Sequence, residues 1–579
     1  MKKFIVLSLI GLSILAFGAI GYAQAPVFPY FLPDQISTEK PPVLEFKASG
    51  FIDVISNYNK NVNEAAPSAW TGSTPLFGVS PQFSPQNARG NIAAGPLAQV
   101  PYGAAFNKKQ AFMDTRGRLR FDAIMAKQVT GTFFFEIDAT RWGERNGLGA
   151  QRNQAGNWNA DSAAIEVKNM FITFAVPPIV PVPIDIQAGI LPWITRPVCN
   201  YTDGSGMNIT FKPDPAMIKL TWMKALENQD WASDDADVYG IEARVKVQTV
   251  TIGGYMAYYN MNTYPFQGSG SFSNTATPLG FTGTSTGTNT GYNSTPIANQ
   301  TADMSWWGLY ADGKVGPVNI NFDFAYDTGK VEAHGATTVT NLAASDRTVD
   351  YNGWITRLKV DFPWEKFNFG VIGMYASGSD MKKTSATGLP GVTVAYGTSA
   401  LRNSNTWGYS QKVGGYIVPP NAENGYDDES IVFYGQGANG IGRPGTGFGA
   451  MGFAGGAGVG RGVYGGTWFA KLYGSYKATP WYKVTLYGMY IGDTTKNGNT
   501  IGDAVNCDGT PRNDSTIGWE FDIFNDIQIY KNLQFRFGGG VLIAGKAFDM
   551  WDARTSTHSR ENVSPANPYQ IITKLIYVF

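Results

Sequence analysis

Hydrophobic side chains recur at every second residue through most of this 579-residue chain, and that period admits few folds. In the run from Val318 to Asp327, the residues Val318, Ile320, Phe322, Phe324 and Tyr326 share one parity. Asn319, Asn321, Asp323 and Asp327 share the other. A period of two puts the sets on opposite faces of a strand. Eighteen segments read this way: 43–58, 111–125, 129–142, 162–176, 182–194, 207–212, 217–226, 236–247, 249–262, 303–313, 317–329, 349–362, 367–379, 464–477, 480–492, 515–529, 532–546 and 567–579. A soluble sheet covers its greasy face with a second layer. In a membrane barrel that face meets lipid and the polar face meets a wet lumen. The expected fold is all-β: a transmembrane antiparallel up-and-down β-barrel of about 18 strands, with 16 as the alternative count.

The connections alternate in length. Ala126–Gln128, Pro213–Ala216, Pro363–Lys366 and Tyr530–Lys531 are short, whereas 59–110, 143–161, 263–302, 380–463 and 547–566 are long. Membrane barrels have short periplasmic turns and long extracellular loops, an asymmetry a sandwich has no reason to show. An even strand count closes the sheet and leaves no edge unpaired in lipid. Trp364, Trp481 and Tyr482 beside short turns, and Trp306, Trp307 and Trp354 beside long loops, are placed for interfacial aromatic girdles.

Lys2 and Lys3 followed by the apolar run from Phe4 to Ile20 read as a secretory signal peptide, 1–23, cleaved after Ala23. A Pro-rich periplasmic lead, 24–42, then precedes the barrel, 43–579. No later apolar run reaches the about 18 residues of a helical span. Basic and acidic residues balance at 45 each, so nothing points to nucleic acid. The two histidines, His334 and His558, and the two cysteines form no clustered metal spacing, so no metal or cofactor is expected.

The chain ends Tyr569-Gln-Ile-Ile-Thr-Lys-Leu-Ile-Tyr-Val-Phe579, with Tyr569, Ile571, Leu575, Tyr577 and Phe579 on one face. A terminal Phe with an aromatic two residues earlier resembles the closing strand of bacterial outer-membrane barrels. That resemblance makes Tyr577 and Phe579 the assembly signal, the barrel-assembly machinery a partner, and the bacterial cell outer membrane, with its lipid, the location.

The charged parity identifies the lumen. Arg116, Arg118 and Arg120 share one face of their strand; Glu136 and Asp138 share one face of the next. An Arg facing lipid at the midplane costs about 2–4 kcal/mol, so these charges point inward. The same parity adds the pore-lining candidates Arg244, Lys246, Arg357, Lys359, Glu520, Asp522 and Arg536, with Glu242, Asp323, Asp361, Lys471 and Lys574 beside them. Here the chain resembles the diffusion porins, whose early strands carry an Arg-x-Arg-Leu element followed by a Phe-x-Ile-Glu-like strand. In those proteins an arginine ladder faces acidic residues across the constriction. The residues alone allow a second reading, in which these charges pair across adjacent strands and stiffen the wall.

In the porins the loop after the fifth strand folds inward. Here that loop, Arg196–Gly206, is short and makes the same constriction doubtful. The longest connection, 380–463, is the better candidate for a plug, although its glycine-dense second half reads equally as a low-complexity surface segment, the reading slightly favoured. Cys199 and Cys507 both fall in expected outer loops, where pairing is open to them but proximity is not legible.

The expected function is a porin-like channel for passive diffusion of small hydrophilic solutes or ions, not an enzyme. A substrate-specific channel (sugar, organic acid or polysaccharide export) and a surface-exposed structural or adhesive barrel are the alternatives. A homotrimer is compatible, since a trimer interface would be another apolar outer face.

Overall fold

The computed structural model describes residues 44–61, 109–125, 128–142, 165–177, 181–227, 233, 235–262, 300–333, 348–380, 412–419, 425–426, 430–434, 463–496, 513–548, 550–551, 562–563 and 566–579. Eighteen strands cross the wall. They are β1 (Leu44–Lys60), β2 (Lys109–Met125), β3 (Val129–Arg141), β4 (Glu166–Ala175), β5 (Ile184–Ile194) and β6 (Tyr201–Phe211). Next come β7 (Ala216–Leu226), β8 (Ala236–Val247), β9 (Val250–Met261), β10 (Gln300–Val315), β11 (Val318–Ala333) and β12 (Trp354–Trp364). The last six are β13 (Phe367–Ala376), β14 (Thr467–Thr479), β15 (Tyr482–Asp493), β16 (Thr516–Tyr530), β17 (Leu533–Ala544) and β18 (Tyr569–Val578). A short piece, Thr348–Tyr351, extends β12 along β11. Each strand pairs antiparallel with its neighbours in sequence, and β1 pairs with β18 from Phe51↔Val578 to Lys60↔Tyr569. The sheet is therefore closed and up-and-down. The eighteen expected segments all appear; the sixth begins at Tyr201 rather than 207.

The short turns follow from local chemistry. Gln248, Gly316 and Glu365 have φ of 54°, 59° and 53° in two-residue connections. Positive φ is what a tight turn needs to match the right-handed twist of the strands it joins.

Alternation fixes the two faces. Phe121, Phe133, Ile172, Leu309, Leu358, Phe369, Leu472, Leu486, Phe521 and Ile571 are exposed outward, a continuous apolar belt suited to lipid. Aromatics cap it: Phe367 stacks on Tyr476 at 4.8 Å near the short turns, and Trp354 stacks on Tyr375 at 5.0 Å near the long loops. Trp307 is outward, as a girdle requires, but Trp306 is not a girdle residue. It has the inward parity and is wholly buried, its indole N–H donating to Ile417 O at 2.9 Å.

Burial along the strands shows where the lumen is filled. In β1 the half next to the short turns is exposed, while Asp53, Ile55, Asn57 and Asn59, toward the long loops, are buried. β8, β9, β12 and β13 show the same gradient. An empty tube would not bury its inner face in one half only.

Candidate channel lumen

Two inserted segments cause part of that burial. The first is the β5–β6 turn. Pro197–Cys199 reverse the chain in a tight turn, with the Cys199 and Asn200 N–H groups donating to Arg196 O at 2.8 and 2.9 Å. It points into the barrel, so Val198, Cys199 and Asn200 are fully buried. The second comprises the described parts of the 380–463 connection and the residues after it. Lys412–Val413 forms a short parallel strand against Asp350–Tyr351. Gly353, where β12 breaks from its extension, faces Gly415 O and Tyr416 Cα so closely that a Cβ would collide. That approach requires glycine. The described residues of this connection pack inside the barrel, in line with the expectation of a plug; most of its glycine-dense second half, 435–462, lies outside the described residues. Cys199 lies in the β5–β6 connection, on the side of the long loops as expected, but that connection turns inward despite its shortness, which corrects the expectation that an inward constriction by this loop is doubtful.

The segments meet each other. Gly425 N–H donates to Pro197 O at 2.6 Å, and the Tyr416 hydroxyl donates to Val198 O at 2.8 Å. Arg196 is the junction. It reaches Asp323 Oδ1 at 2.5 Å, Asp312 at 2.7 and 3.0 Å, and the Tyr426 hydroxyl at 3.2 Å. The Tyr426 hydroxyl donates to Asp323 Oδ2 at 2.5 Å, and the Arg357 guanidinium lies 3.8 Å over the Tyr426 ring. Burial alone would lower the Arg196 pKa; the hydrogen bonds to Asp323 and Asp312 reverse this and raise it. Burial, reinforced by Asp323, pushes the Tyr426 phenol up against the opposing pull of Arg196. Arg196 thus stays charged and fully committed. Nothing in the sequence marked it, because its partners lie 116 and 127 residues away.

Wall carboxylates hold the second segment by its backbone. Asp327 accepts from Gly353 N–H at 3.0 Å and Ile417 N–H at 3.2 Å. Glu520 accepts from Val432 N–H at 2.6 Å and Phe433 N–H at 2.9 Å, and Asp522 from Ile431 N–H at 3.2 Å. Glu520 and Asp522 face the lumen as their parity requires, but the inserted chain buries both.

The basic strand is arranged differently. Arg116 and Arg118 converge on Glu136, at 3.3 and 2.8 Å, and Lys168 reaches the same carboxylate at 3.3 Å. Lys168 continues to Asp203 at 2.8 Å, where Asn169 also donates. Arg120 stands apart, half-exposed and paired with Asp122 at 2.9 Å. Asp138 falls at the irregularity where the β2–β3 register shifts, and its side chain lies outside the described residues.

Elsewhere, Arg244 faces a polar recess of about 360 Å³ under the β5–β6 turn, with Lys219, Glu242, Thr251, Tyr310 and Asp312. Glu242 accepts from Lys219 at 2.9 Å and from the Tyr310 hydroxyl at 2.7 Å. Lys246 is exposed on the same parity near the β8–β9 turn. Lys359 lies 3.7 Å from Asp361, and Arg536 pairs with Asp526, which Lys483 also reaches at 3.0 Å. Tyr473 covers Gly370 on the next strand, so the ring lies flat along the wall. Tyr577 and Phe579 turn outward, and Phe579 pairs its backbone with Gly50 at 2.8 and 3.0 Å.

Cys199 is a free, buried thiol beside Thr195, Tyr255 and Tyr416, and burial pushes its pKa up to about 12. Cys507, His334 and His558 lie outside the described residues, as does the expected signal peptide. Among the described residues no group of His, Cys, Asp and Glu is placed to hold a metal.

No family model matches the chain, and no curated protein matches it. Among solved structures it is similar to Pseudomonas aeruginosa OccK9 (OpdG), with 10% identity, a TM-score of 0.42, and 92% of this chain and 99% of that one covered. It is also similar to Pseudomonas aeruginosa OccK8 (OprE), at 9% identity, TM-score 0.41 and coverage of 92% and 98%. Pseudomonas aeruginosa OpdQ follows at 7% identity, TM-score 0.41 and the same coverage.

Proposed function

We propose that this protein is a porin-like channel of the bacterial outer membrane, through which small hydrophilic solutes or ions diffuse passively. One observation carries the reading: a closed 18-strand wall with an apolar outer belt and an inner face of mixed charge. Such a wall is stable only with lipid outside and water or protein inside. Inner charges of both signs favour weak ion selectivity. A non-enzymatic role is part of the proposal.

A substrate-specific channel is the second reading, favoured by the recess of about 360 Å³ beside Arg244 and by the inserted segments above it. Single-channel recording of the purified protein in planar bilayers tests the first. Discrete conductance steps are expected; silence across a range of salts and voltages would sink it. Saturation of the current by one solute class would move the assignment to the second reading.

A further inference from the structure

We infer that Glu520 and Asp522 are positioning residues that set the size limit of the channel, by holding the segment Ser430–Tyr434 across the lumen. The inference rests on the channel reading above and adds to it the residues that fix the aperture.

The geometry is that of an anion cradle turned inward. Three successive backbone N–H groups, of Ile431, Val432 and Phe433, point at two wall carboxylates, at 3.2, 2.6 and 2.9 Å. Consecutive N–H groups in a bent segment form a concavity that binds an anion, and here the anion belongs to the wall. The segment closes on itself as Tyr434 N–H donates to the Ser430 hydroxyl at 2.9 Å. The Tyr434 hydroxyl meets Thr467 Oγ1 on β14 at 3.1 Å. Its four apolar or aromatic residues, Ile431, Val432, Phe433 and Tyr434, are fully buried.

The wall is shaped to receive it. Gly540 on β17 faces Asp522 so closely that any side chain there would displace the carboxylate. Lys471 on β14 supplies the nearby positive charge, with its ammonium 3.7 Å over the Tyr487 ring of β15. Two acids side by side on one strand repel each other. They are tolerated here because three N–H donors and one lysine face them. Loss of the acids removes every one of these donor–acceptor bonds while leaving the strand pairing intact.

The test uses full-length protein in planar bilayers, with polyethylene glycols of graded size as probes of the aperture. Glu520→Ala with Asp522→Ala should raise conductance on the order of twofold and admit larger polymers. Loss of charge alone would change ion preference without changing the polymer limit. Rescue comes from a covalent tether. A Cβ built on Gly540 lies 3.2 Å from the Ile431 Cβ, close to the ~3.5–4.5 Å of a disulfide, and the Asp522→Ala change clears the space. Ile431→Cys with Gly540→Cys, added to the double variant, should restore the wild-type limit when oxidised and lose it when reduced. A wild-type polymer limit in the double variant overturns the inference, as does a tethered variant indifferent to reductant. Should the double variant fail to fold, Glu520→Gln carries the test, with an intermediate limit expected and an unchanged one contrary. A wild-type protein that never conducts fails the channel reading itself.

Discussion

Two of the charged clusters inside this barrel differ in what they hold. On β2–β6, Arg116, Arg118, Lys168, Glu136 and Asp203 bond to one another along the wall. On β16, Glu520 and Asp522 bond to the backbone of a segment from far along the chain. Both obey the same parity. The difference lies in the partner: side chains of the wall bond to one another locally, whereas other wall carboxyls receive groups from an inserted segment. An inward charge is thus either a strut of the wall or a socket for a loop, and the Asp323–Arg196–Tyr426 network is the second kind.

The largest effect is expected where a socket is removed. Asp323 is fully buried and bonds both Arg196 and Tyr426. Asp323→Ala leaves two buried polar groups short of a partner and should cost about 3 kcal/mol, read by denaturant unfolding in detergent. A loss no larger than that of an exposed pair would erase the distinction. Glu136→Gln comes next. Three cations lose their shared counter-charge, so a cost of about 1–2 kcal/mol should accompany a shift of reversal potential toward anion preference. Reversing Arg116, Arg118 and Arg120 to Glu should instead favour cations while leaving the polymer size limit as in the wild type. An unchanged reversal potential would reduce those arginines to wall struts alone.

The smallest effect concerns the β5–β6 turn. With its pKa pushed up to about 12, the Cys199 thiol should resist maleimide at pH 8 in the folded protein and react after unfolding. The folded value lies above the ordinary thiol value of 9.0. Its contribution to stability is therefore complete below about pH 9 and is lost as pH rises toward 12, at most about 1.4 kcal/mol per pH unit. With Cys507→Ser in place so that only Cys199 can react, rapid labelling of the native protein would place the turn outside the barrel.

The wall was legible because its signals are local. Period-two alternation, tight turns and the terminal Tyr577–Phe579 are read within a dozen residues, and all eighteen segments were found that way. Orientation of Arg118, Glu136 and Glu520 followed from parity. Trp306 shows where the argument stops: its parity was inward, yet its neighbourhood to a long loop suggested a girdle. Its actual partner, Ile417 O, is 111 residues away. The same kind of distance hid Arg196, and it hid which groups Tyr416 and Ile431 would meet in a connection read as a plug candidate.

By itself the sequence determined an even-stranded closed barrel of about eighteen strands, the outward apolar belt and the side each charge faces, since strands alternate and a barrel must pair every edge. Tertiary structure alone decided which charges neutralise each other and which hold chain inside the lumen. The contacts of Glu520, Asp522 and Arg196 join residues 87 or more positions apart, and no periodicity encodes them.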